Sequence, residues 1–245
     1  MCETEAMVDS AGSLPLHDSV LDRLGSDIAS GVIAPGARIS SDEIATRFDV
    51  SRTVAREVVR VLESLGMVSI RRRAGITVLD PSHWHALDPK LIRWQLAGPE
   101  RFTHLARLAE LRSGIEPLAA RLAATHATPE QCAILTASVM GMSATARSAD
   151  TPAYLGHDVT FHATLLSASG NPLLAVFAPI VREVLTGRTE HELMPTQANP
   201  QALQLHAAVA AAIQGRDGAA AESAMREIVA ESASAIACLQ PAVSK

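Results

Sequence analysis

The sequence predicts a mostly α-helical protein that combines a small N-terminal domain, containing one β-hairpin, with a larger all-α antiparallel helical bundle. Three observations support this fold class. Hydrophobic residues make up 48% of the 245 residues but aromatic residues only 3%, and the dominance of Ala and Leu favours helices packed on helices. Apolar residues recur at helical spacing along most of the chain. A β-strand pattern is found only around a cluster of arginines near residue 72.

The first part of the chain predicts a helical unit that ends in a hairpin. Residues 1–14 show little periodicity, and we expect them to form a disordered tail. Helices are predicted over the ranges 16–30, 42–48 and 52–65. Ser41 and Ser51 precede the second and third helices, where a serine hydroxyl can cap free backbone N–H groups. Two strands then bracket Arg71-Arg72-Arg73-Ala74-Gly75, which completes a winged helix-turn-helix domain predicted at 15–80.

The second part of the chain is predicted to be entirely helical. It follows a linker predicted at 81–87, and the domain is predicted at 88–240. Gly and Pro residues interrupt the helical pattern at several points and separate successive helices. The predicted helices cover 88–97, 100–126, 129–147, 151–168, 173–187, 200–214 and 217–239.

The distribution of arginines indicates a DNA-binding surface in the first domain. The chain as a whole carries a net charge of −5, but residues 31–79 hold eight arginines against five acidic residues. A local basic face matters more for phosphate binding than the sum over the chain. Solvated arginines on a small helical domain remain the alternative. The candidate DNA-binding residues are Arg47, Ser51, Arg52, Thr53, Arg56, Arg71, Arg72, Arg73 and Gly75.

Residues 32–78 resemble the GntR-type winged helix. The resemblance is carried by Val32-Ile33, Pro35-Gly36, Ile44-Ala45, Phe48, Val50-Ser51-Arg52, Arg56-Glu57, Arg60, Leu62-Glu63, Gly66-Met67-Val68, Arg73, Gly75 and Val78. It implies that Arg52 and Arg56 contact operator DNA and that the hairpin turn tracks the groove. The chain departs from the family before the second helix. There, Arg38-Ile39-Ser40-Ser41-Asp42-Glu43 replaces a leucine-proline-serine-glutamate-arginine run, which puts one usual DNA contact and the usual operator preference in doubt.

Most of residues 88–239 is similar to the helical effector domain of the FadR-like branch, the FCD type. The resemblance is carried by Glu110-Leu111-Arg112, Ile115-Glu116-Pro117, Asp158, Phe161-His162, Asn171-Pro172 and Leu205-His206, and galactonate-responsive repressors share Trp84, Leu87-Asp88, Leu91-Ile92 and Trp94. It implies a homodimer that binds a small carboxylate or sugar acid. The effector-binding residues that it implies are Arg112, Asp158, His162 and His206.

Asp158 and His162 stand four residues apart, so they share one face of a helix. The resemblance implies that His206 joins them and that the three bind a divalent metal such as Zn²⁺, Ni²⁺ or Mn²⁺, for which nitrogen and oxygen ligands are suitable. The fourth family ligand, a histidine, falls at Ile228, which cannot ligate a metal. Direct hydrogen bonding of a polar effector, without metal, is the alternative.

Arg112 also has two interpretations. A surface salt bridge with Glu116, four residues later, would contribute only about 0.3–0.5 kcal/mol. A bidentate clamp on an effector carboxylate uses the planar geometry of the guanidinium group, and the family resemblance favours it.

The remaining motifs exclude several other functions. His157-Asp158 is a dipeptide of helical phosphohydrolases, so a metal-dependent hydrolase is the alternative function, but the further ligands of that class are not evident. The sequence contains no GxSxG, GxxxxGK[ST] or HExxH motif, and we expect no enzymatic activity.

The cysteines at 2, 132 and 238 lack metal-type spacing, and no secretory signal or membrane-spanning run is evident. We therefore expect a cytoplasmic, homodimeric transcriptional regulator, most simply a repressor that an acid effector releases from operator DNA.

Overall fold

The computed structural model describes residues 16–71, 75–148, 150–190 and 200–239. The chain divides into two compact units, Met1–Ala86 and Leu87–Lys245. The predicted tail at 1–14 lies outside the described residues, as do Arg72 and Arg73 of the predicted hairpin turn. None of the described helices is long and apolar enough to cross a membrane.

The N-terminal unit contains three helices and a three-stranded antiparallel sheet, which confirms the winged helix-turn-helix prediction. Its elements are α1 (Leu16–Ala29), β1 (Arg38–Ile39), α2 (Ser41–Phe48), α3 (Arg52–Ser64), β2 (Val68–Arg71) and β3 (Gly75–Val78). The strand order is β1-β3-β2, and Ile70 on β2 stands opposite Ile76 on β3. We did not predict β1, because two residues are too short to show alternation. It forms because Arg38 and Ile39 pair with Thr77 and Ile76.

Hydrogen bonds from side chains fix where α2 and α3 begin. The cap of α2 is Ser40, so the prediction of Ser41 was wrong by one residue. Ser40 and Glu43 bond reciprocally, with the Glu43 backbone N–H 3.1 Å from Ser40 Oγ and the Ser40 N–H 2.7 Å from Glu43 Oε2. Ser51 caps α3 as predicted and accepts from the Val54 N–H at 3.2 Å. The caps thus satisfy backbone N–H groups that would otherwise be free at the start of each helix.

The segment predicted as a linker packs on the N-terminal unit up to residue 86. A single 3-10 turn covers Pro81–His83, and the indole N–H of buried Trp84 donates to the Leu79 carbonyl at 3.1 Å. Gly66 makes this packing possible. It has a φ of +71°, and a Cβ at this position would lie 2.3 Å from the His83 carbonyl oxygen.

The C-terminal unit is an all-helical bundle in every described part. Its helices are α4 (Pro89–Ala97), α5 (Arg101–His126), α6 (Pro129–Ser148), α7 (Thr151–Ala168), α8 (Pro172–Ala175), α9 (Ala178–Glu190), α10 (Pro200–Gln214) and α11 (Gly218–Leu239). The main core lies between helices α5 to α11, and a smaller cluster joins α4 and α9 to α5 and α11. The prediction of one helix over 173–187 was wrong, because α8 ends before Val176 and α9 starts again at Ala178. Pro179 explains the break, since proline lacks the N–H that would continue a helix and disfavours helical geometry in the residue before it.

Candidate functional site

Helix α3 presents a polar face at its N-terminal end. Arg52, Thr53 and Arg56 are exposed, while Val58 and Leu62 on the opposite face are buried. The apolar face of α3 is therefore turned to the core, and the arginines face solvent. This arrangement leaves the first two turns of α3 accessible to a nucleic-acid groove.

The predicted DNA-binding arginines of α2 and α3 differ in their partners. Arg52 Nε lies 2.9 Å from Asp42 Oδ1, and both side chains are largely exposed. Arg47 binds residues of its own domain. Its guanidinium lies 2.6 Å from Asp27 and 5.0 Å from the centre of the Phe48 ring. For Arg56 the described residues supply no ion-pair partner, so its guanidinium is the most available of the three.

The turn between β2 and β3 is flanked by two of the predicted DNA-binding residues. Arg71 is exposed at the end of β2 and stands opposite Gly75 at the start of β3. Gly75 has a φ of +81°, a backbone conformation that favours glycine in tight turns. The two arginines between them lie outside the described residues.

The predicted effector residues converge in the interior of the C-terminal unit. Asp158 and His162 lie on α7, His206 lies on α10 and Arg112 lies on α5; all four are buried. His162 Nε2 is 3.4 Å from both Asp158 Oδ1 and His206 Nε2, and His206 Nε2 is 3.3 Å from Asp158 Oδ1. Three potential ligand atoms therefore form a nearly equilateral triangle.

Arg112 forms the predicted pair with Glu116, but the pair is buried rather than on the surface. Its Nε and Nη2 lie 2.6 and 3.2 Å from the two carboxylate oxygens, and the two side chains are 2% and 0% exposed. Burial disfavours the charged carboxylate, but the charges of Arg112 and then His162 outweigh it and lower the pKa of Glu116 to about 2. Glu116 thus already occupies the side edge of this guanidinium, formed by Nε and Nη2.

Both histidines are oriented through their Nδ1 atoms. His206 Nδ1 lies 2.7 Å from the Ala202 carbonyl oxygen, which can only accept, so this nitrogen carries the proton and Nε2 faces the triangle. His162 Nδ1 lies 2.8 Å from Glu116 Oε2 but is poorly aligned for a hydrogen bond. Burial opposes protonation of His162, but the charge of Glu116 and a hydrogen bond to Asp158 raise its pKa to about 9.

Asp158 stays ionised in this environment. Burial alone would raise its pKa, but hydrogen bonds with His162 and His206 hold the pKa of this carboxyl well below its usual range. Phe161 closes one side of the cluster, with its ring edge-on to both imidazoles at centroid distances of 5.6 and 4.9 Å. The cluster is therefore a charged site enclosed by apolar side chains.

The triangle of ligand atoms fits one face of a tetrahedral metal site. Tetrahedral coordination with metal–ligand distances of about 2.0–2.1 Å places ligand atoms about 3.3–3.4 Å apart. The outer nitrogen of His206 also fits, because histidines that bind metal commonly donate their second N–H to a carbonyl or carboxylate, here the Ala202 carbonyl. The outer nitrogen of His162 faces the Glu116 carboxylate at 2.8 Å without a well-aligned hydrogen bond. Three protein ligands would leave the fourth position open. Ile228, at the position of the usual fourth ligand, is buried in the apolar core.

Both halves of the chain match known family models. Residues 16–78 match the gntR family of bacterial regulatory proteins, and residues 107–231 match the FCD domain. The chain is 30% identical to the galactonate operon transcriptional repressor of Escherichia coli over 88% of this chain and 94% of that protein. The chain belongs to the GntR family. It is a DNA-binding transcriptional regulator with an FCD effector domain, and these matches give no support to the phosphohydrolase alternative.

Two further comparisons agree with this assignment. The GntR regulator is 30% identical to an uncharacterised regulator, YieP of Escherichia coli, over 85% of this chain and 90% of that protein. Its fold is similar to the solved structure of Lar, described as controlling the agr system of Listeria monocytogenes, with a TM-score of 0.59 and 17% identity over 94% of this chain and all of Lar. The latter likeness concerns the fold alone.

Two further polar residues lie on helices that border the buried site of this GntR regulator, and they were not predicted from the sequence. Arg188 on α9 is buried, and Tyr154 on α7 is partly buried. Helical spacing could have identified both, since Arg188 continues the buried positions Val181, Val184 and Leu185, while Tyr154 precedes Asp158 by one turn. An arginine or tyrosine on a buried stripe is a signal for a polar interior site.

Proposed function

We propose that this GntR regulator is a repressor that binds operator DNA as a homodimer and releases it when a small carboxylate, such as a sugar acid, enters the effector domain. The observation that carries this proposal is the buried cluster of Arg112, Glu116, Asp158, His162 and His206. Five ionisable side chains enclosed by a helical bundle are costly to bury, and ligand recognition accounts for their presence.

In the DNA-binding half, the side chains at the start of α3 are placed to contact bases. We propose that Arg52, Thr53 and Arg56 enter the major groove, as the recognition helix of such domains does. Arg52 would exchange its partner Asp42 for DNA. The proposed contacts to the sugar-phosphate backbone come from Arg47 and from the cap and hairpin residues, which are Ser51, Arg71, Arg72, Arg73 and Gly75.

In the effector half, we propose that Asp158, His162 and His206 hold a divalent metal such as Zn²⁺, Ni²⁺ or Mn²⁺ at low affinity. A bound metal would supply positive charge and an open position for an oxygen of the effector. His162 would have to lose its additional proton to act as a ligand. The geometry of the triangle supports this proposal, while Ile228 limits the site to three protein ligands and lowers the expected affinity.

The dimer and the cellular location are parts of the same proposal. A single winged helix contacts only a short DNA half-site, and pairing two across a near-palindrome supplies specificity. We expect the larger, helical unit to carry the two-fold interface. A regulator of operator DNA acts where the DNA is, so we place the protein in the bacterial cytoplasm.

The proposed function is tested by DNA release. A binding site would be selected from a random DNA pool with the wild-type protein and labelled for fluorescence anisotropy. We expect galactonate to lower the affinity for this DNA at least tenfold, and we expect galactose, its neutral counterpart, to have no effect. Failure to select any preferred DNA would refute the DNA-binding half. Selection without release by any sugar acid or small carboxylate would refute the effector half.

A further inference from the structure

Arg188 is a second buried arginine with an open donor. Its side chain is 7% exposed, and Nη1 donates to the Ser232 hydroxyl on α11. Its Nε is fully buried and has no hydrogen-bond partner among the described residues. A buried, unsatisfied donor on a charged group is costly, so its persistence calls for a functional explanation.

Packing places Arg188 beside the effector cluster. Leu185, about one turn before it on α9, lies in the same buried core as Phe161, whose ring packs against both histidines. Burial, and next the positive charge of Arg112, lower the pKa of Arg188 to about 10, while Asp158, Glu231 and Tyr154 act in the opposite direction. Arg188 therefore stays charged at neutral pH and interacts electrostatically with both Arg112 and Asp158. Two guanidinium groups on neighbouring helices create a region that favours an anion.

The two arginines differ in which edge of the guanidinium is available. In Arg112, Glu116 occupies the edge formed by Nε and Nη2. In Arg188, Ser232 binds Nη1, whereas the buried Nε has no hydrogen-bond partner among the described residues. Side-on pairing through Nε and Nη2 is a geometry in which arginine binds a carboxylate with two hydrogen bonds.

We propose that Arg188, rather than Arg112, binds the effector carboxylate through its unpaired Nε. This inference rests on the proposed function and assigns the recognition of its acid group. Arg112 and Glu116 then serve to orient His162, whose Nδ1 faces Glu116. Asp158 is a buried acceptor, and Tyr154, one helical turn before it, carries a hydroxyl, so the effector class that fits is a hydroxylated monocarboxylate, such as an aldonic acid.

The test uses two ligands that differ only in the acid group. Galactonate carries a carboxylate where galactitol carries a hydroxymethyl group. Affinities for both would be measured by isothermal titration calorimetry with the full-length protein. Arg188→Gln removes the charge, Arg188→Lys keeps the charge without the two-donor edge, and Arg182→Gln changes an exposed arginine on the same helix as a matched control.

We expect Arg188→Gln to weaken galactonate binding about 10- to 150-fold, as for loss of a charged hydrogen bond. Galactitol affinity should change little, and Arg188→Lys should fall between Arg188→Gln and wild type. Arg182→Gln should match wild type. Equal galactonate affinity in Arg188→Gln and wild type would overturn the inference while leaving the proposed function standing.

Two further outcomes are also decisive. If wild-type protein binds neither galactonate nor another aldonic acid, the inference is overturned, while the proposed function stands as long as another small carboxylate releases the DNA. If Arg188→Gln does not fold, Ser232→Ala removes only the hydroxyl that positions Nη1 and should weaken galactonate binding about 2- to 12-fold. Unchanged affinity in Ser232→Ala would then overturn the inference.

Discussion

Replacing Glu116 with glutamine tests the buried ion pair beneath the effector cluster. The substitution keeps the size of the side chain and removes its charge. Arg112 would then remain buried without its counterion, and His162 would lose the acid beside its Nδ1. The variant isolates the electrostatic part of the interaction because little volume changes.

The expected loss of stability in Glu116→Gln follows from the burial of the ion pair. Removing one partner of a buried ion pair destabilises a protein by about 3–5 kcal/mol, because the other charge is left uncompensated. An amide oxygen can still accept one hydrogen bond from Arg112, so we expect Glu116→Gln to lower the free energy of unfolding by about 3 kcal/mol. For units of about 150–250 residues this corresponds to a fall in Tm of roughly 6–12 °C.

The assay is urea unfolding followed by far-ultraviolet circular dichroism, which reports the helices of the C-terminal unit. Glu222→Gln is the matched control. Glu222 also pairs with an arginine four residues away, Arg226, at 2.6 Å, and with Arg121 at 3.6 Å, but all three side chains reach solvent. Exposed pairs contribute about 0.2–1 kcal/mol, so the control should lose no more than this.

Two results would refute the reasoning. One is a loss in Glu116→Gln no greater than in Glu222→Gln, which would mean that solvent reaches the pair. The other concerns the double variant Arg112→Leu/Glu116→Leu, which buries no charge and should recover most of the lost stability. A double variant less stable than Glu116→Gln would show that the cost does not arise from an uncompensated arginine.

Four further predictions concern binding. Arg52→Ala and Arg56→Ala should each weaken specific DNA binding by about 1–3 kcal/mol in anisotropy titrations. Arg226→Ala, in the other unit, is the control. Full affinity in the double variant Arg52→Ala/Arg56→Ala would contradict the proposed DNA contacts. His206→Ala should retain DNA binding but lose release by galactonate, and a normal release curve would mean that the site is misplaced. Ile228→His should increase Zn²⁺ affinity in equilibrium dialysis by supplying a fourth ligand, and unchanged affinity would count against the family geometry. The full chain should sediment as a dimer at micromolar concentration, and a monomer would contradict the two-fold arrangement.

The elements that could be predicted from the sequence are those fixed by local interactions. Helix positions followed from apolar spacing, and the cap at Ser51 followed from its place before α3. Ser40 could also have been predicted, because Ser40 and Glu43 show the spacing of a reciprocal cap. Asp158 and His162 shared a face for the same local reason, since four residues complete about one helical turn.

The tertiary structure decided which charges are buried and which partners they meet. The spacing of Arg112 and Glu116 allowed their pairing, but only the packing of α5 within the bundle placed the pair away from solvent. His206 reached Asp158, and Arg188 reached Ser232, across 48 and 44 residues of sequence. No local pattern specifies such contacts, because they depend on how whole helices pack. Burial also decides the strength of these contacts, since the same ion pair contributes little in water and becomes costly to break in an apolar interior.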